Sequence, residues 1–288
     1  MTYSDSPEQT FDLRTFDSGH GRLAYLDAGT GEPLVLLHGG LLDRRSWADQ
    51  LPALLPEYRV IAPDTRGHGA SDNAGRPFRP ADDLADLLRH LGLGPVTVIG
   101  LSMGGTIALD LALEHPELVR ALVISGNGTS ESEFTDPWLG ELAAHQTAAL
   151  AEGDAEAWLD SFTSLASGPH RRLDEVDPEV VRRLKEMTRS TVAKHTPDEP
   201  QYLVPVTDTW KRLTGITVPL LAINGGIDSV DHINLAERVV RTVVEGRAVI
   251  VEGTGHYPNM ERPEEFNSHL LGFLRTLPTL PTLPTLRG

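Results

Sequence analysis

Gly100-Leu101-Ser102-Met103-Gly104 fits the pattern G-x-S-x-G and lies between a short apolar run at 96–99 and a helical pattern at 103–114. A serine at a sharp strand-to-helix turn has its hydroxyl lifted above the sheet, and small glycines let the neighbouring backbones pack around the strained bend. The helix that opens near Met103 aims free N–H groups and a partial positive charge at the same spot, which favours an oxyanion. A chance glycine–serine turn has no need of a strand before it and a helix after it.

Serine is a weak nucleophile at neutral pH, so Ser102 needs a base and a group that orients the base. Gly253-Thr254-Gly255-His256 offers a histidine in a glycine-rich loop after the apolar run 248–251. Open α/β sheets place their chemistry there, beyond the C-terminal ends of the strands. Asn224-Gly225-Gly226-Ile227-Asp228 follows the preceding run in the same way, so Asp228 can hold the far nitrogen of His256 and fix its tautomer. The competing acids are Asp231 and, in a different segment, Asp208. The position after the run 122–124 reads Ser125-Gly126-Asn127 and offers no carboxylate. His38-Gly39-Gly40 closes an earlier run, and Gly40 is the expected second backbone donor of an oxyanion hole shared with Met103. His38 reads as structural, and no H-E-x-x-H or other ligand spacing among the eleven histidines suggests a metal.

Outward from this centre, the runs 34–37, 59–62, 96–99 and 122–124 are short and nearly continuous, as suits parallel strands buried on both faces. Alternating apolar and polar residues at 11–16 and 22–27, around Ser18-Gly19-His20-Gly21, predict an opening antiparallel hairpin. Helices are expected at 82–93 and 103–114, the second stopping before Pro116. From 127 to 213 the strand rhythm stops and helical patterns fill 139–150, 155–165 and 178–193, which predicts an inserted cap. Strands at 219–223 and 248–251 and helices at 232–243 and 264–274 then complete the core, assigned to 1–126 and 214–275. The ending TLPTLPTLPTLRG predicts a solvated, Pro-rich low-complexity tail at 276–288.

These motifs, in order LLHGG (36–40), DTRGHGAS (64–71), GLSMGG (100–105), GGID (225–228) and GTGHYPNMERPEEF (253–266), resemble the α/β-hydrolase family over nearly the whole chain. The resemblance implies an α/β fold: an eight-stranded, mostly parallel sheet flanked by helices, with a helical cap after the sixth strand. Relatives that open epoxides or displace halide carry aspartate where this chain has Ser102, and aminopeptidases that release N-terminal proline carry tryptophan where it has Met103. Carbon–carbon hydrolases of the meta-cleavage-product type usually have asparagine and tryptophan where Leu101 and Tyr257 stand. GLSMGG is similar to the nucleophile motif of 3-oxoadipate enol-lactonases, and Trp47 is similar to a tryptophan of enol-lactonases and cofactor-free haloperoxidases. The expected activity is therefore cofactor-independent hydrolysis of an ester or lactone by Ser102, Asp228 and His256, with carbon–carbon hydrolysis of the meta-cleavage-product type or cofactor-free haloperoxidase or perhydrolase activity as the alternatives. Gly39, Trp47, Trp138, Trp210 and Tyr257 are the expected substrate contacts. A catalytically silent ligand receptor of the same fold is the reading from outside enzymology.

Composition narrows the partners. The net charge of −16 repels phosphate backbones and anionic membrane surfaces, which argues against nucleic acid. No cysteine is present, so disulfides, thiolate nucleophiles and thiolate-held metals are excluded. Neither a secretory signal at 1–10 nor an apolar run of the ~18 residues that span a bilayer is visible. The expectation is a cytoplasmic protein whose partner is a small hydrophobic ester or lactone, with no nucleic acid, membrane, cofactor or metal; homodimerisation stays open.

Overall fold

The structure, a computed structural model, describes residues 12–278 apart from residue 197. The elements run β1 (Leu13–Asp17), β2 (Arg22–Ala28), β3 (Glu32–Leu37), α1 (Leu51–Leu54), β4 (Tyr58–Pro63), α2 (Pro80–His90), β5 (Val96–Leu101), α3 (Met103–Glu114) and β6 (Val119–Ser125). The inserted segment carries α4 (Pro137–Glu152), α5 (Ala155–Thr163), α6 (Pro178–Val192) and α7 (Thr209–Arg212). The core resumes with β7 (Leu220–Gly225), α8 (Val230–Thr242), β8 (Gly246–Val251), α9 (Pro258–Glu261) and α10 (Pro263–Leu274).

The eight strands form one sheet in the order β1-β2-β4-β3-β5-β6-β7-β8. Strand β2 pairs antiparallel with β1 and β4, and every other neighbouring pair is parallel. Successive residues of a strand face opposite sides, so β3 splits cleanly. Val35 and Leu37 join the core beneath α2, α3 and α8, whereas Leu34 and Leu36 join the core with Trp47, Phe266 and α10. Helix α3 is buried nearly all round, including Gly104, Gly105 and residues 107–112, as its position against the sheet centre requires.

Boundaries differ from the sequence pattern where proline starts a helix. Proline at the first helical position has no N–H to satisfy, so α2 opens at Pro80 and α10 at Pro263, ahead of the periodic residues. The opening hairpin begins at Leu13, and Phe11 lies outside the described residues. Of the expected tail, residues 276–278 lie against the body: Leu277 packs on the core and Arg120 donates to the Pro278 carbonyl. The remainder of it lies outside the described residues. No helix among the described residues is long and apolar enough to cross a membrane.

Within the insertion, α6 is amphipathic and buries Val180, Leu184, Met187, Thr188 and Thr191. Ion pairs Arg183–Asp49 (2.8 Å) and Arg45–Glu186 (2.7 Å) fasten it to the segment after β3. Just past its end, Lys194 Nζ donates to the carbonyls of Gly69 (2.9 Å) and Ser71 in the loop after β4. Helix α4 is held far less firmly: only Leu142 and Ala149 of its sixteen residues are buried. A hollow of about 460 Å³ lies between it and α5, lined by Leu142, His145, Ala149, Ala157 and Ser161 among others.

Candidate active site

Ser102 sits between β5 and α3 at φ 51°, ψ −115°. Only Leu41 and Asp208 share a positive φ among the described non-glycine residues. Such a conformation costs on the order of 1–3 kcal/mol and survives only when its surroundings impose it. Here they do. The Ser102 N–H donates to the Ser125 carbonyl on β6 at 2.7 Å, and the first turn of α3 closes with Thr106 N–H on Ser102 O at 3.1 Å. A Cβ on Gly100 would lie 2.1 Å from the Gly104 carbonyl oxygen, and one on Gly104 would lie 2.2 Å from that of Leu37. Both approaches exclude any side chain, which is the physical reason for glycine two residues either side of the serine.

The loop after β3 reaches the start of α3: a Cβ on Gly40 would stand 3.9 Å from Met103 Cβ. Its shape is set by His38, which is fully buried. His38 Nδ1–H donates to Gly39 O at 2.8 Å, and Nε2 accepts from Thr65 N–H at 3.0 Å. Burial pushes the His38 pKa down, so the ring stays neutral and keeps one donor and one acceptor.

Asp228 and His256 meet at 2.7 Å, Oδ2 to Nδ1, with both side chains almost wholly buried. Burial alone would raise the Asp228 carboxyl, but the electrostatic attraction and hydrogen bonds of the two imidazoles facing it outweigh that and hold the group well below the usual carboxylate range. Burial pushes His256 below its ordinary value, with Asp228 opposing in part. An ionised carboxylate can only accept, so His256 Nδ1 carries the proton and Nε2 is left with its lone pair. Among the described residues the Ser102 hydroxyl has no hydrogen-bond partner, so its contact with His256 is not closed in this conformation. Catalytic hydrogen bonds are often long without substrate.

The other acids are occupied elsewhere. Asp231 accepts from the backbone N–H groups of Thr135 (2.5 Å) and Asp136 (2.6 Å), fastening the start of the insertion to α8. Asp208 is exposed, and its N–H bonds Glu131. The expected substrate contacts are dispersed. Trp47 is fully buried against Phe266, ring centroids 6.0 Å apart. Tyr257 is buried edge-on to His256 at 5.2 Å, inside the core behind it. Trp210 lies under the Arg238 guanidinium at 3.9 Å, donates to Glu131 O, and closes on Gly128. Trp138 is half-buried at the start of α4, and Gly39 sits between Leu42 and Leu101.

Three neighbours of His256 were not singled out from the sequence. His232, four residues after Asp228 on the first turn of α8, donates from Nδ1 to Asp228 Oδ1 at 2.9 Å. Glu261 accepts the Gly255 N–H at 2.8 Å and pairs with Arg171 at 2.5 Å. Arg171 also donates to Ala166 O, while the His256 N–H bonds Leu165 O at 3.0 Å, so the insertion and the histidine loop are stitched together. The Asp-x-x-x-His spacing was a visible signal for His232; the separation of 90 residues hid Arg171–Glu261.

The profile of the alpha/beta hydrolase fold family matches residues 32–263. A 2-hydroxy-6-oxo-6-(2'-aminophenyl)hexa-2,4-dienoic acid hydrolase of Metapseudomonas resinovorans is 26% identical, covering 94% of this chain and 93% of its own. Among solved structures, a thermophilic esterase from Thermogutta terrifontis superposes with TM-score 0.73 at 27% identity, covering 92% of this chain and 98% of its own. A bromoperoxidase from Bacillus anthracis superposes with TM-score 0.76 at 26% identity, covering 92% and 100%.

Proposed function

The chain belongs to the α/β-hydrolase fold family, and from that premise we propose that it is a serine hydrolase cleaving a carboxylic ester or lactone through an acyl-enzyme on Ser102. The observation that carries this reading is the buried 2.7 Å bond from His256 Nδ1 to Asp228, which leaves Nε2 basic, in a fold that also holds Ser102 in a strained elbow. His256 Nε2 takes the hydroxyl proton as Ser102 Oγ bonds to the carbonyl carbon. The resulting oxyanion is received by the N–H groups of Met103 and Gly40, at the start of α3. Collapse breaks the bond to the alkoxy oxygen, which leaves with the proton from His256. Water, deprotonated by the same nitrogen, then releases the acid and restores Ser102. This chemistry requires no cofactor.

A dienoic acid hydrolase among the relatives makes carbon–carbon cleavage the second reading. A carbon leaving group must first be stabilised by moving a proton within the substrate, which calls for polar side chains near the serine. Leu101 is fully buried and apolar. Six basic residues of the insertion are committed: Arg172 to Asp174, Arg182 to Glu179, Arg183 to Asp49, Lys185 to Asp160, Arg189 to Glu156 and Arg212 to Glu114. The ester reading therefore leads. Residues 127–213 act as a lid over Ser102, with α6 as its fixed side and the α4–α5 pair as its moving one.

Side-by-side kinetics on a phenyl ester, a small lactone and a ring-fission dienone test the assignment. Ester or lactone hydrolysis is expected at kcat/KM of ~10³ to 10⁵ M⁻¹s⁻¹ and the dienone at least ~100-fold slower. Faster turnover of the dienone overturns the choice of bond.

A further inference from the structure

Asp228 is shared by two imidazoles. Its Oδ2 accepts from His256 Nδ1 at 2.7 Å, and its Oδ1 accepts from His232 Nδ1 at 2.9 Å and from the Ser229 N–H at 2.7 Å. All three side chains are buried, and the Asp228, His232 and His256 ligand atoms lie within 4.8 Å of one another. A metal centre would space them differently: two donors at ~2.0–2.1 Å from one tetrahedral ion stand about 3.3 Å apart. The 2.7 and 2.9 Å separations are those of N–H···O hydrogen bonds.

The two donors on Oδ1 are not equivalent. Ser229 is the next residue in the chain, so its N–H orients the carboxylate only relative to the adjoining backbone, whereas His232 Nδ1 meets it from the following helix. His232 belongs to α8, whose Leu235, Ala236 and Val239 are buried. Its ring is wedged between His256, centroids 4.2 Å apart and planes 31° apart, and the edge of Phe134 at 5.5 Å and 78°. A donor with so little freedom fixes the rotation of the carboxylate about its Cβ–Cγ bond.

We propose that His232 is a positioning residue for the catalytic pair, its Nδ1–H holding Asp228 Oδ1 so that Oδ2 points at His256 Nδ1. The inference rests on Asp228 and His256 serving Ser102 as described under Proposed function. It makes α8 part of the site: the aspartate is oriented by the helix that follows it and not by its loop alone. Without this donor a buried carboxylate oxygen keeps a single partner, and an under-satisfied charged acceptor turns to find another.

Two substitutions and two readouts test it. His232→Leu keeps bulk and removes the donor, whereas His232→Asn places an N–H close to where Nδ1 stands. His232→Leu is expected to lower kcat on a phenyl ester by ~10-fold or more, the worth of one hydrogen bond to a charged group, with KM within about twofold. His232→Asn is expected to recover kcat to within about threefold of the parent. In proton NMR the downfield signal of the His256 Nδ1–H, identified by its loss in Asp228→Asn, should persist in His232→Asn and broaden away in His232→Leu. If His232→Leu does not fold, His232→Gln, whose donor falls at the Nε2 position, takes its place and should lose rate and signal alike. Parental kcat with the signal intact in the donor-less variant overturns the proposal, as does a fall in His232→Asn as deep as that in His232→Leu. Ser102→Ala in the same assay separates the two claims. If it keeps turnover, the triad reading fails; if it abolishes turnover while His232→Leu changes nothing, only the positioning role fails.

Discussion

A carboxylate, an imidazole and a hydroxyl become reactive only through what surrounds them, and single atoms test that most sharply. Asp228→Asn is expected to leave the fold intact and cost on the order of 10⁴ in kcat, because the amide favours the wrong tautomer of His256. Asp231→Asn should cost far less, since Asp231 holds the backbone of residues 135 and 136; a reversed ranking would redraw the triad. Gly126 is a second probe. Its φ is +67°, and a Cβ there would lie 2.7 Å from His256 Cε1 and 2.8 Å from Nδ1. Gly126→Ala should therefore displace the ring and lower kcat by ~100-fold, the scale of a misplacement near 1 Å. Asp110, buried on α3, is raised by burial to about 7. Its folded pKa exceeds its unfolded one, so its contribution is fully present below about pH 3.8 and is lost as pH rises through about 7. Thermal melts of Asp110→Asn should then show a gain in Tm at pH 8 that vanishes at pH 4. An equal shift at both pH values would contradict the assignment.

Elements decide how these side chains are carried. The strands were legible because their runs are short, apolar and bounded by turns, and the elbow was legible because glycine is required on both sides of Ser102. What escaped the sequence was long-range and polar. Lys194 meets carbonyls 123–126 residues away, and Arg171 meets Glu261 across 90; no period or spacing announces such pairs. Trp210, an expected substrate contact on its aromatic character, packs against Arg238 and Gly128. Trp210→Ala should consequently cost about 2–3 kcal/mol of stability with little change in acyl preference. Trp138→Ala, at the half-buried start of α4, should change preference more than stability. Kinetics on a series of acyl chains beside urea melts would reveal the opposite pattern. The two sides of the proposed lid differ in the same terms. Amide exchange in α4, with two buried residues of sixteen, should precede that in α6, which is pinned by Arg183–Asp49 and followed by Lys194, whose Nζ bonds the loop after β4. Earlier exchange in α6 would reverse the lid's assignment.

The whole molecule answers to pH through its buried histidines. His38 and His256 are lowered by burial, and His68 is lowered to about 3 for the same reason. The unfolded chain takes up protons on these rings near pH 6.5 while the folded one resists, so stability falls as pH drops below 6.5. Activity should fall in the same direction at lower pH still, where His256 itself is protonated, and a kcat/KM profile rising toward acid would contradict a neutral His256 as base. The fold as a whole was readable from five ordered motifs, whereas the proposed role of α8 in holding Asp228 was not, because the four-residue spacing from Asp228 to His232 is visible in the sequence but the bond between their side chains is not. The catalytic expectations depend on one atom, the Ser102 oxygen. Treatment with a fluorophosphonate followed by peptide mass spectrometry tests it most directly. The predicted result is a single adduct on Ser102, absent in Ser102→Ala, whose ester turnover falls by a factor on the order of 10⁶. An adduct on another residue, or a Ser102→Ala protein that still turns over ester, would contradict the account.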